Sequence, residues 1–471
     1  MVLKLGDKYK NRKSEADKRN TIFMSANKEN IFLRIYHSFF INESKEKRKN
    51  VARNFLFHLH PLNIPKMTIK FRHTFGLGGM SALLLVLLAI TGILLRFFYL
   101  PFPAYAYESV LDIQERILFG GFLRNIHYWS ATFLLIISFL HLLRVFFTRA
   151  FLPPRRFNWL IGLGLLFLIL FSNYTGYLLP WDQLSYWAIT VSTNMLSYIP
   201  FVGNALMHLL RGGKDVGAQT LIIYYNLHTG VIPLFVIFLM VWHFWRVRKA
   251  GGVVLPEEVQ KKEKIEMAPA IPYLVYKEFV VALTLVAYIF VLALFFNAPL
   301  LDKANPALSP DPVKAPWYFL GVQELLLHFN PLFAIVIIPL IVVAAFFLIP
   351  YYSYQSTKTG VWFISLNARK IGAVSALTGF FLTIFAVLAS EYFLHFDHWF
   401  PGLPPVISNG LLPFTIVFLV MALFYYWLKK KSDNRDEAIQ SIFIFLLTSF
   451  IVLTLTALWF RGAGMLLSWP F

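Results

Sequence analysis

An all-α fold, a polytopic bundle of about nine transmembrane helices, is what this sequence predicts, and three observations carry that expectation. Of 471 residues, 58% are hydrophobic and only 14% are charged, a balance that leaves too few polar groups to cover a water-soluble domain. Several apolar runs, clearest at Leu77–Leu95, Phe279–Phe296, Leu332–Ile349 and Ile442–Trp459, reach the roughly 20 residues a helix needs to cross a bilayer. The cations are also unevenly spread, crowding alternate loops as the positive-inside rule requires.

In chain order, residues 1–70 read as a polar, basic extension with no early apolar segment of signal-peptide type. Ile31–Ile41 and Phe55–Leu62 would suit amphipathic helices on the membrane surface, and the charge run itself suits a solvated or lipid-facing tail. Candidate spans follow at 76–99, 126–148, 159–180, 226–248, 277–298, 332–352, 371–394, 411–429 and 439–460. With the N-terminus inside, the loops after the second, fourth, sixth and eighth spans are inside too. These hold Arg155 and Arg156; Arg248, Lys261 and Lys262; Lys358 and Lys370; Lys429, Lys430 and Lys431. The alternate loops are rich instead in Pro, Trp and Tyr, as at Pro101–Tyr107, Pro180–Trp187 and Trp399–Pro405. Two of them, residues 181–225 and 299–331, are long enough to pack on the bundle and build a site at the membrane surface. The net charge of +19 comes with no base-reading module, so no nucleic-acid partner is expected.

The chain has no cysteine, which excludes disulfides, thiolate-bound clusters and thioether-linked haem from it. Histidine is the remaining cofactor ligand. His127 and His141 lie fourteen residues apart on the second span; His228 and His243 lie fifteen apart on the fourth. At about 1.5 Å per residue each step separates two levels by roughly 21 Å. Both spans run from outside to inside, so His127 pairs in depth with His228, and His141 with His243. Each pair can bind one haem iron through two neutral imidazoles, an arrangement for electron transfer rather than oxygen binding. A histidine that is merely a hydrogen-bonded core residue would not explain two spaced pairs at matching depths. Gly78 and Gly92 on the first span, and Gly162 and Gly176 on the third, repeat the fourteen-residue step. They suggest bare backbone where a flat macrocycle approaches, beyond ordinary small-residue packing. Arg124 and Arg144, each three residues beyond a histidine, are candidate partners for haem propionates. The expected core is therefore a four-helix dihaem bundle.

Several segments resemble, in order, the cytochrome b family of quinol:cytochrome c oxidoreductases and their photosynthetic relatives: RNIHYWSA, HLLRVFFT, GYLLPWDQLSYWAITV, IPFVGNALMHLLRGG and NLHTGVIPLF. The likeness covers about residues 65–350, and GYLLPWDQLSYW is its most specific part. The fifteen-residue step and HFWRVRKAGG are similar to the photosynthetic type, which splits cytochrome b and subunit IV into two chains. The resemblance thus implies a dihaem domain at 71–250, a linker at 251–270, a subunit IV-like quinol-site domain at 271–352 and additional spans at 353–471. It implies two non-covalent b haems, quinol and quinone as substrates, and oxidation of quinol at the outer face with electrons crossing to an inner quinone. Protons would be released outside. It also implies a homodimeric multi-subunit complex with a Rieske iron–sulfur protein and a c-type cytochrome, set in the lipid of a bacterial cytoplasmic membrane.

Two departures qualify the likeness. Where the family's quinol site carries Pro-Glu-Trp-Tyr, this chain reads KAPWYFLGVQELL, with Pro316 in the glutamate's place before Trp317 and Tyr318. Glu324 is then the nearest carboxylate to accept a quinol proton, with burial expected to raise its pKa toward the working pH. Ile223 stands where the photosynthetic type has an arginine. A dihaem quinone-linked dehydrogenase anchor would have fewer spans and other histidine spacing, and a haem-free transporter would leave the matched histidines unexplained. His395 and His398, in an outside loop, are expected to cap aromatic packing.

Overall fold

The computed structural model describes residues 63–469; the segments Ile31–Ile41 and Phe55–Leu62 lie outside the described residues. Among the described residues, nine helices are long and apolar enough to span a bilayer. They are α1 (Leu77–Arg96), α2 (Gly120–Phe147), α3 (Arg156–Tyr177), α4 (Ala218–Lys249), α5 (Tyr273–Phe295), α6 (Leu332–Tyr351), α7 (Leu366–Tyr392), α8 (Ile407–Lys431) and α9 (Arg435–Trp459). In a bilayer every backbone group must be paired internally, so an apolar run of this length is held helical. Polar side chains mark some helix starts: Ser365 accepts the Ala368 N–H at the head of α7, and Asn434 accepts the Glu437 N–H at the head of α9.

Seven helices begin earlier than the apolar runs suggest, α2 and α4 by the most. α2 opens at Gly120 rather than 126, because its polar first turns are satisfied by the end of α5. Asn125 Nδ2 donates to Ala293 O, while Arg124 donates to Ala298 O and Pro299 O. α4 opens at Ala218 rather than 226, since the helix Ala218–Asn226 runs on through a widened turn into Ile232–Lys249.

Loops after the odd-numbered helices meet at one end, here the aromatic-loop end. Tyr99 donates to Leu179 O at 2.7 Å, Gln183 N to Asp302 O at 2.8 Å and Ala304 N to Trp181 O at 3.1 Å. Loops after the even-numbered helices meet at the other, basic-loop end. There Arg155 donates to Ala250 O at 2.8 Å, Gly360 N to Thr148 O at 2.9 Å, and buried Arg149 pairs with buried Asp436 at 3.1 Å. A two-stranded ribbon, Asn63–Pro65 against Met267–Pro269, also joins the segments before α1 and α5.

α1 packs on α2, α3 on α4, α5 on α2 and α7 on α9. Leu84, Ile126, Leu134, Ile137, Ile169 and Ile289 form the shared core of α1, α2, α3 and α5. α6 is tied to α3 by Trp159 Nε1 donating to Phe346 O. α8 keeps Phe418, Leu419 and Leu423 on its outer face, a surface stable only in lipid.

Candidate haem and quinol sites

The four histidines come together in two pairs, as their depths require. The ring centres of His127 and His228 are 6.2 Å apart, and those of His141 and His243 are 6.4 Å apart. Imidazole nitrogen binds a first-row metal at about 2.0 Å, so ring centres at this spacing leave room for one ion between the two imidazoles of a pair. The remaining nitrogens are set accordingly at the aromatic-loop level. His127 Nδ1 bonds Thr91 Oγ1 at 2.9 Å and His228 Nδ1 bonds Ser172 O at 3.0 Å. Such bonds fix the tautomer and turn Nε2 to the ligand.

Each glycine backs one histidine. A Cβ on Gly92 would lie 3.2 Å from His127 Cε1, on Gly78 or Gly162 3.4 Å from Cε1 of His141 or His243, and on Gly176 2.5 Å from His228 Cε1. The glycines of α1 serve the histidines of α2, and those of α3 serve α4. The bare backbone therefore admits an imidazole edge.

Arg144 is buried, with its Nε lacking a hydrogen-bond partner among the described residues, and it lies one turn from His141. Arg124 is placed differently: besides the two carbonyls after α5, it donates to Gln114 Oε1 at 2.9 Å. Its guanidinium thus ties α2 to the segment after α5.

The chain's sequence matches the family model described as Cytochrome b/b6/petB over residues 63–251. It is 40% identical over 192 residues to cytochrome b6 of Heliomicrobium gestii, covering 41% of this chain and 88% of that protein. It is 41% identical over 175 residues to cytochrome b6 of Synechococcus sp. (strain JA-3-3Ab), covering 37% and 81%. The chain belongs to the cytochrome b/b6 family. Its fold is similar to a chain of a structure titled "Hyperthermophilic respiratory Complex III", with a TM-score of 0.62 at 22% identity, covering 87% of this chain and 98% of that one. It is an integral, multi-pass cytochrome b/b6-type chain with additional C-terminal helices.

Haem is the group this family holds, and the paired imidazoles, the glycines behind them and the orphaned Arg144 Nε fit it. The segment expected to meet quinol is more divided. Trp317–Phe319 forms a single tight turn leading into the short helix Leu320–His328. Tyr318 packs on the core of α1, α2, α3 and α5, and its hydroxyl is buried without a partner among the described residues. Burial pushes this phenol up, so it stays a hydrogen-bond donor at neutral pH.

Glu324 departs from expectation. It is fully buried, and Arg461, just beyond α9, donates from Nη2 at 2.6 Å and from Nε at 3.1 Å. His328 Nε2 lies 3.2 Å from the same carboxylate, and Arg461 Nη1 also binds Glu391 at 2.9 Å. Burial alone would push the carboxyl up. The hydrogen bonds from His328 and Arg461, with the guanidinium's charge, outweigh it and hold the carboxyl below the usual range. The expected rise toward working pH is thus corrected: a carboxylate already gripped by a guanidinium is a poor proton acceptor.

Sequence reasoning missed Thr91, Arg461 and the joining of the two long loops through Trp181–Gln183. A lone arginine after the last apolar run, or a threonine one residue before a glycine, carries no signal in one sequence. The Asp182 cap did carry one: it accepts the Ser185 N–H and, across the loops, the Leu301 N–H. Ile223 packs beside Leu221 and Tyr224 in an apolar cluster. The rings of His395 and His398 face each other at 5.5 Å.

Proposed function

We propose that this chain is the dihaem cytochrome b subunit of a bc-type complex, oxidising quinol at the aromatic-loop end and passing electrons through two b haems to a quinone site at the basic-loop end, coupled to proton translocation. The observation that carries this reading is the pair of imidazole couples, 6.2 Å and 6.4 Å between ring centres, on two levels of one bundle. His127 and His228 hold the haem at the aromatic-loop level; His141 and His243 hold the other. When bound, the haems supply one-electron transfer across the low-dielectric interior. Gly78, Gly92, Gly162 and Gly176 keep the rings seated. Arg144 offers its buried Nε to a propionate. The division into a haem domain at 71–250, a quinol-site domain at 271–352 and C-terminal spans at 353–471 follows from this assignment, with the basic loops and N-terminus cytoplasmic.

Tyr318, with its unpartnered hydroxyl, and Trp317 line the quinol pocket in this reading. Glu324 anchors the pocket's supporting helix through Arg461 rather than taking the quinol's proton. A Rieske iron–sulfur protein and a c-type cytochrome complete the reaction outside the bilayer. The test is a pyridine-haemochrome spectrum with redox titration of purified wild type and the four single His→Ala variants. Two haems b in the wild type are expected. His127→Ala and His228→Ala should lose one haem, and His141→Ala and His243→Ala the other. A wild type without haem, or His127→Ala and His141→Ala variants losing the same haem, would overturn the assignment.

A further inference from the structure

Three helices share an irregularity just before a proline. In α4, α6 and α8, a backbone N–H donates to the carbonyl five residues back instead of four: Ile232 to Leu227, Ile338 to Phe333 and Leu412 to Ile407. Each donor is followed at once by a proline, Pro233, Pro339 and Pro413. All three helices enter from the aromatic-loop end. Proline lacks an N–H and its ring collides with the carbonyl four residues back. A turn closed five residues back holds one extra residue and relieves both problems. Among the described residues these are the only such turns within a spanning helix; other five-back bonds, such as Ala150 N to Val145 O and Leu394 N to Ala389 O, close helix ends.

Only the turn in α4 carries a histidine. At about 100° per residue, the fourteen-residue step of His127 and His141 falls roughly 40° short of four full turns, and the fifteen-residue step of His228 and His243 overshoots by roughly 60°. On two regular α-helices these steps could not present matching faces at both levels. Yet the two ring pairs are nearly alike, at 6.2 Å and 69° for one and 6.4 Å and 74° for the other. The widened turn at Leu227–Val231 contains His228, and most of it lies between His228 and His243. It absorbs the fifteenth residue, so the step acts as one of fourteen.

We propose that Pro233 is a positioning residue that imposes this turn and so keeps His228 in register with His243. The inference rests on the haem-ligation reading above. Replacing Pro233 frees the segment to close as a regular α-helix, which turns His228 away from His127 by up to about 100°.

The experiment uses the full chain, with haem per polypeptide measured by pyridine haemochrome and the two haems resolved by low-temperature spectra. Pro233→Ala should lose at least half of the aromatic-loop-level haem while the other stays at the wild-type level, which also shows that the bundle has folded. Deleting Gly230 in the Pro233→Ala background restores a fourteen-residue step on a straight helix, and it should bring that haem back to near wild type. Gly230 is exposed, and a Cβ there would meet nothing within 4 Å, so no neighbouring side chain packs where its Cβ would stand. Pro233→Ala with both haems at wild-type levels and unshifted spectra overturns the inference, as does a double variant no better than Pro233→Ala. His228→Ala separates the two failures. If it loses the haem that Pro233→Ala keeps, only the register inference falls; if it keeps both haems, the ligation reading itself falls.

Discussion

At the scale of single residues, the histidine seats make graded predictions. A methyl on Gly176 would stand 2.5 Å from His228 Cε1, whereas one on Gly78 would stand 3.4 Å from His141 Cε1. The first distance is an overlap that forces the imidazole to move; the second is a tight but tolerable contact. Gly176→Ala should therefore lose most of the aromatic-loop-level haem, with Gly78→Ala keeping nearly all of both, as measured by haem per polypeptide. Glu324 makes a prediction of another kind. Removing one partner of a buried ion pair costs about 3–5 kcal/mol, so Glu324→Ala should markedly lower the unfolding temperature in detergent. Its carboxyl is held below the usual range in the folded protein. The stabilisation is then complete above the ordinary value of about 4.3 and is lost as pH falls through the lower folded value. The gap in unfolding temperature between wild type and Glu324→Gln should accordingly narrow on acidification. A gap that is constant with pH would mean that the pair does not stabilise the fold.

At the scale of elements, the two long aromatic loops behave as one structure. Asp182 caps the helix Gln183–Met195 through the Ser185 N–H at 2.9 Å and reaches across to the Leu301 N–H at 3.1 Å. Gln183 continues the seam, its Oε1 accepting from Asn305 N and its Nε2 donating to Leu308 O. Losing a cap costs about 0.5–2 kcal/mol, and here the same change also opens the seam. Asp182→Ala should speed proteolysis within residues 299–311 several-fold while leaving both haems bound, because among the described residues the hydrogen bonds of Asp182 and Gln183 reach none of the four histidines. Unchanged cleavage would show that the loops hold together without Asp182.

At the scale of the whole molecule, every residue of the two histidine seats lies between Gly78 and His243, while contacts from later helices fasten that bundle at both ends. Arg124 and Asn125 bind the end of α5, Trp159 binds α6, and Arg149 binds Ser356 and Asp436. The connection from Val253 to Glu266 carries exposed Lys261 and Lys262 and contributes nothing to the seats. Two fragments divided between Lys262 and Glu263 and expressed together should co-purify and retain both haems. Recovery of the first fragment alone, without the second, would mean that the covalent link is needed to assemble the molecule.

Much of this architecture was legible in the chain itself. Length and polarity are local properties, so the nine spans could be read from apolar runs, and alternating charge ordered their loops. Residues on one helix keep a set angular and axial relation, so His127 with His141, and the glycine steps, announced two levels before any packing was known. What a neighbouring helix supplies could not be read this way. The glycines face imidazole edges because α1 lies on α2 and α3 on α4, a choice made by packing between segments. Glu324 is an ion-pair partner because α9 delivers Arg461 to it from 137 residues away, and that partner reverses the pKa shift that burial alone would give. The fifteen-residue step matched the fourteen-residue one only through a widened turn, since proline's missing N–H announces an irregularity but not the geometry the helix adopts to accommodate it. The sequence determined the spans and their two levels because both follow from the chain's own covalent order and polarity. Tertiary structure decided which groups meet, because contact energies between distant segments depend on how those helices pack.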